Sequence, residues 1–245
     1  MNIDHPSPTQ IPQLRALWRE ACGDTDVFLD TFFETAYAPQ RCLCVTAGNE
    51  IAAAAYWFSC GDSAYIYAVA TAQAHRGQGY CHALMAQIHT LLQKQGYDGC
   101  IVVPGEESLR RFYGGMGYED FGGIAEFSCT AGTSLPLRKI DAAEFAVLRQ
   151  QYLPVNSVVQ EEENLAFLSQ WANFYTGDHF LLTATQEGET LRGLELLGNG
   201  DAAPGILAAL GAKNGTFRTP GSAPFAMYKS LGVKNTPSYF GFAFD

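Results

Sequence analysis

The sequence predicts an α/β fold with a mixed sheet, followed by a second, diverged unit of the same kind. Three observations lead to this prediction. In the first half of the chain the predicted elements follow the order helix, helix, three strands, helix, strand, helix, strand. A glycine-containing turn joins a buried strand to an amphipathic helix within that order. In the second half a similar series of strands and helices recurs.

Two helices and a hairpin are predicted first. Apolar residues at three- and four-residue spacing mark the buried faces of the helices, which are Leu14, Leu17, Trp18 and Cys22, and then Phe28, Phe32, Phe33 and Tyr37. Strands from Arg41 to Ala47 and from Ile51 to Cys60 follow, joined by the turn Gly48-Asn49-Glu50. The turn Gly61-Asp62 then leads into a third strand.

The third strand passes through a polar turn into a helix. Its expected faces are Tyr65, Tyr67, Val69 and Thr71 on one side and Ile66, Ala68 and Ala70 on the other. In the turn, Gly77 and Gly79 lack a Cβ atom, so backbone N–H groups can converge on phosphate oxygens at the start of the helix. Arg76 adds a fixed positive charge at the rim. The run therefore predicts a binding site for a pyrophosphate.

A second strand–helix unit follows the first. The helix after the turn is expected to stop near Gly96, and a buried strand is predicted from Cys100 to Val103. Pro104-Gly105 ends that strand. The next helix carries Tyr113 and is halted by Gly114-Gly115.

Two of these motifs resemble a known family. Arg76, Gly79 and Cys81 occupy the three marked positions of Arg-x-x-Gly-x-Gly/Ala, a pattern that resembles the coenzyme A signature of the GCN5-related N-acetyltransferases (GNAT). Cys81 departs from the family, which prefers Gly or Ala there. The segment IVVPGEESLRRFYGGMGY resembles the second diagnostic stretch, in which a helix bears a tyrosine and a Gly-aromatic pair follows. Tyr113 aligns with that tyrosine, and the resemblance covers roughly residues 9 to 128.

The resemblance implies an N-acetyltransferase that uses acetyl-CoA as co-substrate. A primary amine of a small molecule or peptide would attack directly in a ternary complex. Tyr113 would be the catalytic acid that protonates the departing thiolate. The backbone of Val69, Ala70 and Thr71 would pair with the pantetheine arm and polarise the thioester carbonyl. The remaining cofactor-binding residues, which would hold the pyrophosphate, are Arg76, Gly77, Gln78, Gly79, Tyr80 and Cys81.

The sequence offers several candidates for the general base and for other roles in the site. A primary amine with a pKa near 10.4 is almost fully protonated at pH 7, so a base or an acceptor of low pKa is needed. Glu106, Glu107 and Glu126 are candidates for the base, and none is favoured over the others. Cys81 at a helix N-terminus could take the acetyl group first, although packing in the turn explains it better. His75 and His82 flank the turn and are expected to face solvent or phosphate, while His89 is expected on the helix surface and His179 at the start of a strand.

The second half of the chain is predicted to repeat the fold. The predicted elements are a strand at Leu135 to Lys139, helices from Asp141 and around Leu165 to Tyr175, strands at His179 to Gln186 and Leu191 to Leu197, a helix at Gly205 to Leu210, and strands at Phe217 to Thr219 and Tyr239 to Phe244. In addition, Pro220-Gly221, Tyr228 and Gly232 align with Pro104-Gly105, Tyr113 and Gly117.

We therefore predict a GNAT domain with the coenzyme A site over residues 1–130. A diverged GNAT-like domain without its own coenzyme A signature is predicted over 134–245. The second domain is expected to complete the acceptor pocket. A chain ending near Thr130 is accordingly expected to keep coenzyme A binding.

Composition narrows the class of protein and its surroundings. Seven cysteines without C-x-x-C spacing argue for reduced thiols in the cytoplasm and against a disulfide framework or a metal site. The net charge of −10 disfavours a nucleic-acid partner. No signal peptide is seen at the start of the sequence, and no apolar run is long enough for a membrane helix, so no membrane partner is expected. The oligomeric state is not indicated.

Two other functional classes share part of this sequence pattern. A nucleotide-dependent oxidoreductase could use Gly77-x-Gly79 with Asp98 as a ribose ligand, but the third glycine of its fingerprint is missing, since His82 stands there. A non-catalytic module that responds to coenzyme A would use the turn and would have no need for the acid Tyr113.

Overall fold

The computed structural model describes residues 1–232 and 236–244. Contacts divide the chain into two compact units. The first unit comprises Met1–Val102, Glu106–Glu119 and Tyr228–Thr236, and the second comprises Val103–Gly105, Asp120–Met227 and Pro237–Asp245.

The first unit is built on one mixed sheet with helices on it. Its helices are α1 Ile11–Cys22, α2 Asp26–Thr35, α3 Tyr80–Lys94 and α4 Glu107–Gly114. The strands of this sheet are β1 Asn2–Asp4, β2 Cys42–Ala47, β3 Glu50–Cys60, β4 Ser63–Thr71, β5 Gly99–Val102 and β6 Glu119–Phe121, together with a late strand, β13 Ala226–Ser230. Of β6 and β13, the first unit contains Glu119 and Tyr228–Ser230. The predicted helices and the hairpin are confirmed, and β1 is an additional strand.

Local sequence accounts for the first helices. Gly23 takes a left-handed conformation with φ +76° and ends α1, and the Thr25 side chain accepts a hydrogen bond from the backbone N–H of Phe28 at the start of α2. Leu17 and Trp18 are buried as predicted, whereas Cys22 is exposed. Cys22 is the last residue of α1, next to the turn at Gly23.

The first sheet has the order β1-β2-β3-β4-β5-β13-β6. β1 to β4 pair antiparallel with their neighbours, and β4 pairs parallel with β5. The strand beside β5 thus comes from near the end of the chain. Tyr228 lies in β13, while Tyr113 lies in α4, so the predicted correspondence of these two tyrosines does not extend to their secondary structure.

The second unit has its own six-stranded sheet, of order β7-β12-β11-β10-β9-β8. The strands are β7 Ile124–Thr130, β8 Leu137–Ile140, β9 Asn173–Gly177, β10 Phe180–Glu187, β11 Thr190–Gly198 and β12 Asn214–Pro220. The helices are α5 Ala142–Tyr152, α6 Glu162–Leu168 and α7 Ala203–Ala209.

Two predicted elements of the second half are wrong. The helix predicted around Leu165 to Tyr175 ends at Leu168, because the chain turns there and then enters β9. The strand predicted at Tyr239 to Phe244 is absent from the described residues, where Tyr239 makes a single bridge to Ser157. The aromatic side chains of this segment are buried without a strand ladder, so burial rather than pairing explains its apolar composition.

Candidate active site

The turn predicted to bind a pyrophosphate comprises Arg76–Cys81 and is called the phosphate turn below. It lies a few residues after the end of β4. One turn of 3₁₀ helix, Gln73–His75, leads to Arg76, and α3 begins at Tyr80. Gly77 has φ +74° and Gly79 has φ +80°, a region that other residues rarely adopt. A Cβ atom on either glycine would meet no atom within 4 Å. Backbone conformation therefore explains these glycines, and the space in front of them is open to a ligand.

The N-terminus of α3 is suited to an anion. Gly79 is the N-cap residue of α3 and has no side chain that could bond the first N–H groups of the helix. The first turn of α3 carries no acidic residue. The first N–H groups of a helix lack intrahelical partners, and the helix dipole favours negative charge there. Arg76 is exposed, and its Nε donates to the Thr71 carbonyl at 3.2 Å, which holds the guanidinium beside the turn. These groups fit a pyrophosphate.

The last residues of β4 have no parallel partner. The ladder between β4 and β5 joins Ser63–Tyr65 to Gly99–Ile101 and, within residues 1–232, does not continue along Val69–Thr71. On its other side β4 remains paired with β3 as far as Thr71. Because β5 ends at Val102, the backbone of Val69, Ala70 and Thr71 has no strand partner on that side, where an extended ligand can pair with it.

A β-bulge lies at the start of this stretch. Ala54 pairs with Ala70 and Tyr56 pairs with Tyr67, so two residues of β4, Ala68 and Val69, oppose one residue of β3. Ala68 has φ +48°, a strained conformation for a residue with a side chain. Strain of this kind clusters at functional sites.

The bulge also corrects the predicted faces of β4. Directly paired residues lie on the same face of a sheet, and alternate residues along a strand share a face. Tyr67 and Ala70 therefore share a face, and Val69 and Thr71 do not lie with Tyr67 as predicted. Sequence alternation carries no signal for the extra residue, because Ala68 is neither glycine nor asparagine, the residues that favour positive φ.

Tyr113 lies in the last turn of α4 and is 7% exposed. Burial raises the pKa of its hydroxyl above the ordinary value, and the nearby thiols of Cys81 and Cys22 act in the same direction. Its ring contacts Phe112 and Tyr118 edge-on. Burial therefore keeps the hydroxyl of Tyr113 protonated near neutral pH, and the neighbouring Phe112 packs on His82 in the first turn of α3, with ring centroids 4.9 Å apart.

Cys81 is a poor candidate for a nucleophile. Burial raises the pKa of its thiol to about 11, although a hydrogen bond with the Thr71 side chain acts in the opposite direction. The thiolate, which is the reactive form, is therefore scarce near pH 7. This geometry agrees with a packing role in the turn.

The three carboxylates that are candidates for the catalytic base have other interactions. Glu106 precedes α4 and accepts a hydrogen bond from Ser108, and Glu107 lies in the first turn of α4, where carboxylates complement the helix dipole. Glu126 belongs to the second unit, on β7, and pairs with Arg218. No base is assigned on these contacts.

Two histidines pack on aromatic rings near the phosphate turn, and a third lies within hydrogen-bond distance of a tyrosine hydroxyl. His75 and His82 lie against aromatic rings near the turn, those of Tyr80 and Phe112. His89 is half-buried and its Nε2 lies 2.8 Å from the Tyr118 hydroxyl. The expectation that His89 lies on the helix surface is therefore wrong, because Tyr118 reaches it from outside the helix.

Comparison with known proteins places this geometry in a family. Residues 2–121 match the family model described as acetyltransferase (GNAT) domain. This segment is a GNAT acetyltransferase domain. The protein is accordingly an enzyme, an acyltransferase of the N-acetyltransferase type, and the matched segment contains the turn Arg76–Cys81, strands β4 and β5, and Tyr113.

Solved structures resemble nearly the whole chain. The GCN5-related N-acetyltransferase from Kribbella flavida has a TM-score of 0.70 at 18% identity, covering 94% of this chain and 72% of its own. The one from Anabaena variabilis has a TM-score of 0.72 at 16% identity, covering 95% and 73%. The one from Sphaerobacter thermophilus has a TM-score of 0.57 at 12% identity, covering 99% and 98%. At these identities the likeness concerns the fold. No curated protein sequence matches the chain.

Two further observations concern metals and membranes. Within the part of the chain that the structure describes, no three side chains of His, Cys, Asp or Glu come together as a metal site would require. Among the same residues, every helix is too short or too polar to cross a bilayer.

Proposed function

We propose that the protein transfers an acetyl group from acetyl-CoA to a primary amine of a small molecule or peptide, by direct attack in a ternary complex. One observation carries the proposal. The phosphate turn follows the stretch of β4 that has no partner on its β5 side, and α4, which carries the proposed acid Tyr113, packs on the first turn of α3 through the rings of Phe112 and His82, with centroids 4.9 Å apart.

Binding of the co-substrate is assigned to the turn and the strand. Arg76 and the backbone N–H groups from Gly77 to Cys81, including those of Gln78, Gly79 and Tyr80, hold the pyrophosphate at the N-terminus of α3. Val69, Ala70 and Thr71 pair through their backbone with the pantetheine arm and polarise the thioester carbonyl. Acetyl-CoA supplies the activated acyl group.

Tyr113 is the proposed proton donor. As the bond between the carbonyl carbon and sulfur breaks, the phenol protonates the departing thiolate, and the nitrogen forms the new amide bond and releases its proton to solvent or a base. Burial keeps the phenol protonated but also makes it a weaker acid than a solvated tyrosine. Its contribution is therefore placed in the lower part of the range for general acids, about 10²- to 10³-fold.

We further propose that residues 134–245 are a diverged GNAT-like domain without a coenzyme A site. The pairing of β8 to β12 supports this, since three antiparallel pairs are followed by one parallel pair, as in β1 to β5. β11 also carries an extra residue opposite β10, as β4 does opposite β3. The helix in the place of α3 is α7, which has seven residues and follows a turn without arginine.

The decisive test is acetyl-CoA turnover with a panel of acceptors, in which the release of the free thiol of coenzyme A is measured. The panel contains simple amines, aminoglycosides, amino acids, a peptide with a free N-terminus and a lysine peptide. Thiol release that depends on one amine class, with acetylated product, supports the proposal. Tight coenzyme A binding without turnover on any amine would favour a non-catalytic module, and binding of NAD in its place would favour an oxidoreductase. The cytoplasmic location and the absence of a nucleic-acid partner stay predictions.

A further inference from the structure

A buried hydrogen-bonded cluster lies beside Tyr113 in the first unit. Tyr118 is 3% exposed, and its hydroxyl lies 2.8 Å from Nε2 of His89 in α3 and 3.2 Å from Sγ of Cys100 in β5. The Tyr118 ring packs edge-on against the Tyr113 ring, with centroids 5.6 Å apart. Buried polar groups destabilise a fold unless they are bonded, and a satisfied network favours one arrangement of its members.

All three members of the cluster are neutral near pH 7. Burial lowers the pKa of His89 to about 4, and the nearby Lys229 acts in the same direction. Burial also raises the pKa of Cys100 to about 12 and that of Tyr118 well above its ordinary value. Neutral hydroxyl, imidazole and thiol groups can each donate and accept, so they form a connected chain without a change of charge.

A second contact holds the turn after α4. Gly114, Gly115, Met116 and Gly117 follow Tyr113, and Gly117 has φ +85°. The Met116 N–H donates to the Tyr113 carbonyl at 2.9 Å. Lys229 of β13 donates from Nζ to the Met116 carbonyl at 2.8 Å. A turn rich in glycine has many accessible conformations, so contacts from outside it decide where the last turn of α4 lies.

We propose that His89, Tyr118 and Lys229 are positioning residues for Tyr113. The His89–Tyr118 contact holds the ring that packs on Tyr113, and Lys229 holds the turn that follows it. The inference rests on the proposed role of Tyr113 as proton donor. A shift of about 1 Å in a reacting group can cost about 10²-fold in rate, so loss of either contact should lower kcat.

The test compares matched variants of the full chain. His89→Leu, Tyr118→Phe and Lys229→Met should each lower kcat about 10- to 100-fold, while KM for acetyl-CoA and the calorimetric Kd for coenzyme A stay within about 3-fold. His89→Gln should retain kcat within about 3-fold, because its amide can bond the Tyr118 hydroxyl. Lys213→Met is the control, since Lys213 is exposed and pairs with Glu189 in the second unit.

The outcomes separate the inference from the proposed function. Tyr113→Phe without loss of kcat would overturn both. Loss of kcat in Tyr113→Phe with none in His89→Leu or Lys229→Met would overturn positioning alone. A loss of coenzyme A affinity parallel to the loss of kcat, or an equal loss in His89→Gln, would show general disruption of the fold and would likewise contradict the inference. If Tyr118→Phe does not fold, the inference is decided by two comparisons, that of His89→Leu with His89→Gln and that of Lys229→Met with Lys213→Met.

Discussion

At the scale of single residues, conformation and local surroundings distinguish the glycines and the tyrosine proposed for the site from other residues of the same types. Gly79 combines a positive φ with open space before it, whereas Gly99 has its Cα against the Tyr228 ring. Tyr113 and Tyr228 are both buried, but Tyr113 lies in the last turn of α4, whereas Tyr228 lies on β13. Residues of one type thus differ in role through their surroundings.

Gly79→Val should weaken coenzyme A binding at least tenfold. The substitution places a branched side chain at φ +80° in the space assigned to the pyrophosphate. Gly48→Val is the matched control, since Gly48 has φ +63° and is equally open but lies in the β2–β3 turn. Calorimetry with coenzyme A measures the effect. Unchanged affinity in folded Gly79→Val protein would refute the phosphate turn as the binding site.

Tyr113→Phe should lower kcat about 10²- to 10³-fold with little change in acetyl-CoA affinity, because one proton donor is lost and no binding group is removed. Tyr228→Phe is the control and should keep kcat. Steady-state kinetics with the best acceptor of the panel measures both. Equal losses in the two variants would show that the acid has been assigned to the wrong residue.

His89 should make the fold less stable in mild acid. Its pKa is about 4 when folded and about 6.5 when unfolded, so the unfolded chain binds the proton more readily between these values. The stability is complete above pH 6.5 and is lost as pH falls toward 4, by about 1–3 kcal/mol. Denaturation of wild type and His89→Gln between pH 7 and 4 measures this, and identical slopes would contradict it.

At the scale of elements, β4 decides the geometry of the site. Pairing with β3 continues to Thr71, while pairing with β5 stops at Tyr65 because β5 ends at Val102, so β4 loses its partner on one side only. The bulge at Ala68 adds local twist and turns the following residues over. The strand therefore presents backbone groups to a ligand and remains part of the sheet.

Ala68→Val should destabilise the fold by about 1–2 kcal/mol and weaken coenzyme A binding, since a β-branched residue is poorly compatible with φ +48°. Ala68→Gly removes the strain and should keep affinity, with a stability change within about 1 kcal/mol. Urea denaturation and calorimetry measure the two effects. Full affinity and stability in Ala68→Val would mean that the bulge has no role in binding.

At the scale of the whole molecule, each sheet includes a strand from the other half of the sequence. β7 lies within residues 1–130 but pairs with β12, and β13 lies within 134–245 but occupies the place beside β5. The predicted domain ranges thus differ from the compact units in these strands. The ranges stay a prediction about how the sequence is organised.

A chain ending at Thr130 should therefore fail to fold cooperatively. It would lack β13, which lies between β5 and β6, and would carry β7 without β12, so three strands would lose a partner. This replaces the expectation, drawn from the sequence, that such a fragment keeps coenzyme A binding. Thermal unfolding and calorimetry of the fragment measure it. A cooperative transition together with normal affinity would show that the local turn suffices.

The sequence by itself determined the phosphate turn, the helix that carries Tyr113 and most of the elements around them. These features are local, because glycine conformation, helix ends and apolar spacing depend on residues a few positions apart. The bulge at Ala68, the place of β13 and the contact between His89 and Tyr118 were decided only by the tertiary structure. Each depends on pairing between segments far apart in the chain, and the free energy of such pairing comes from burial and hydrogen bonds that no local pattern encodes.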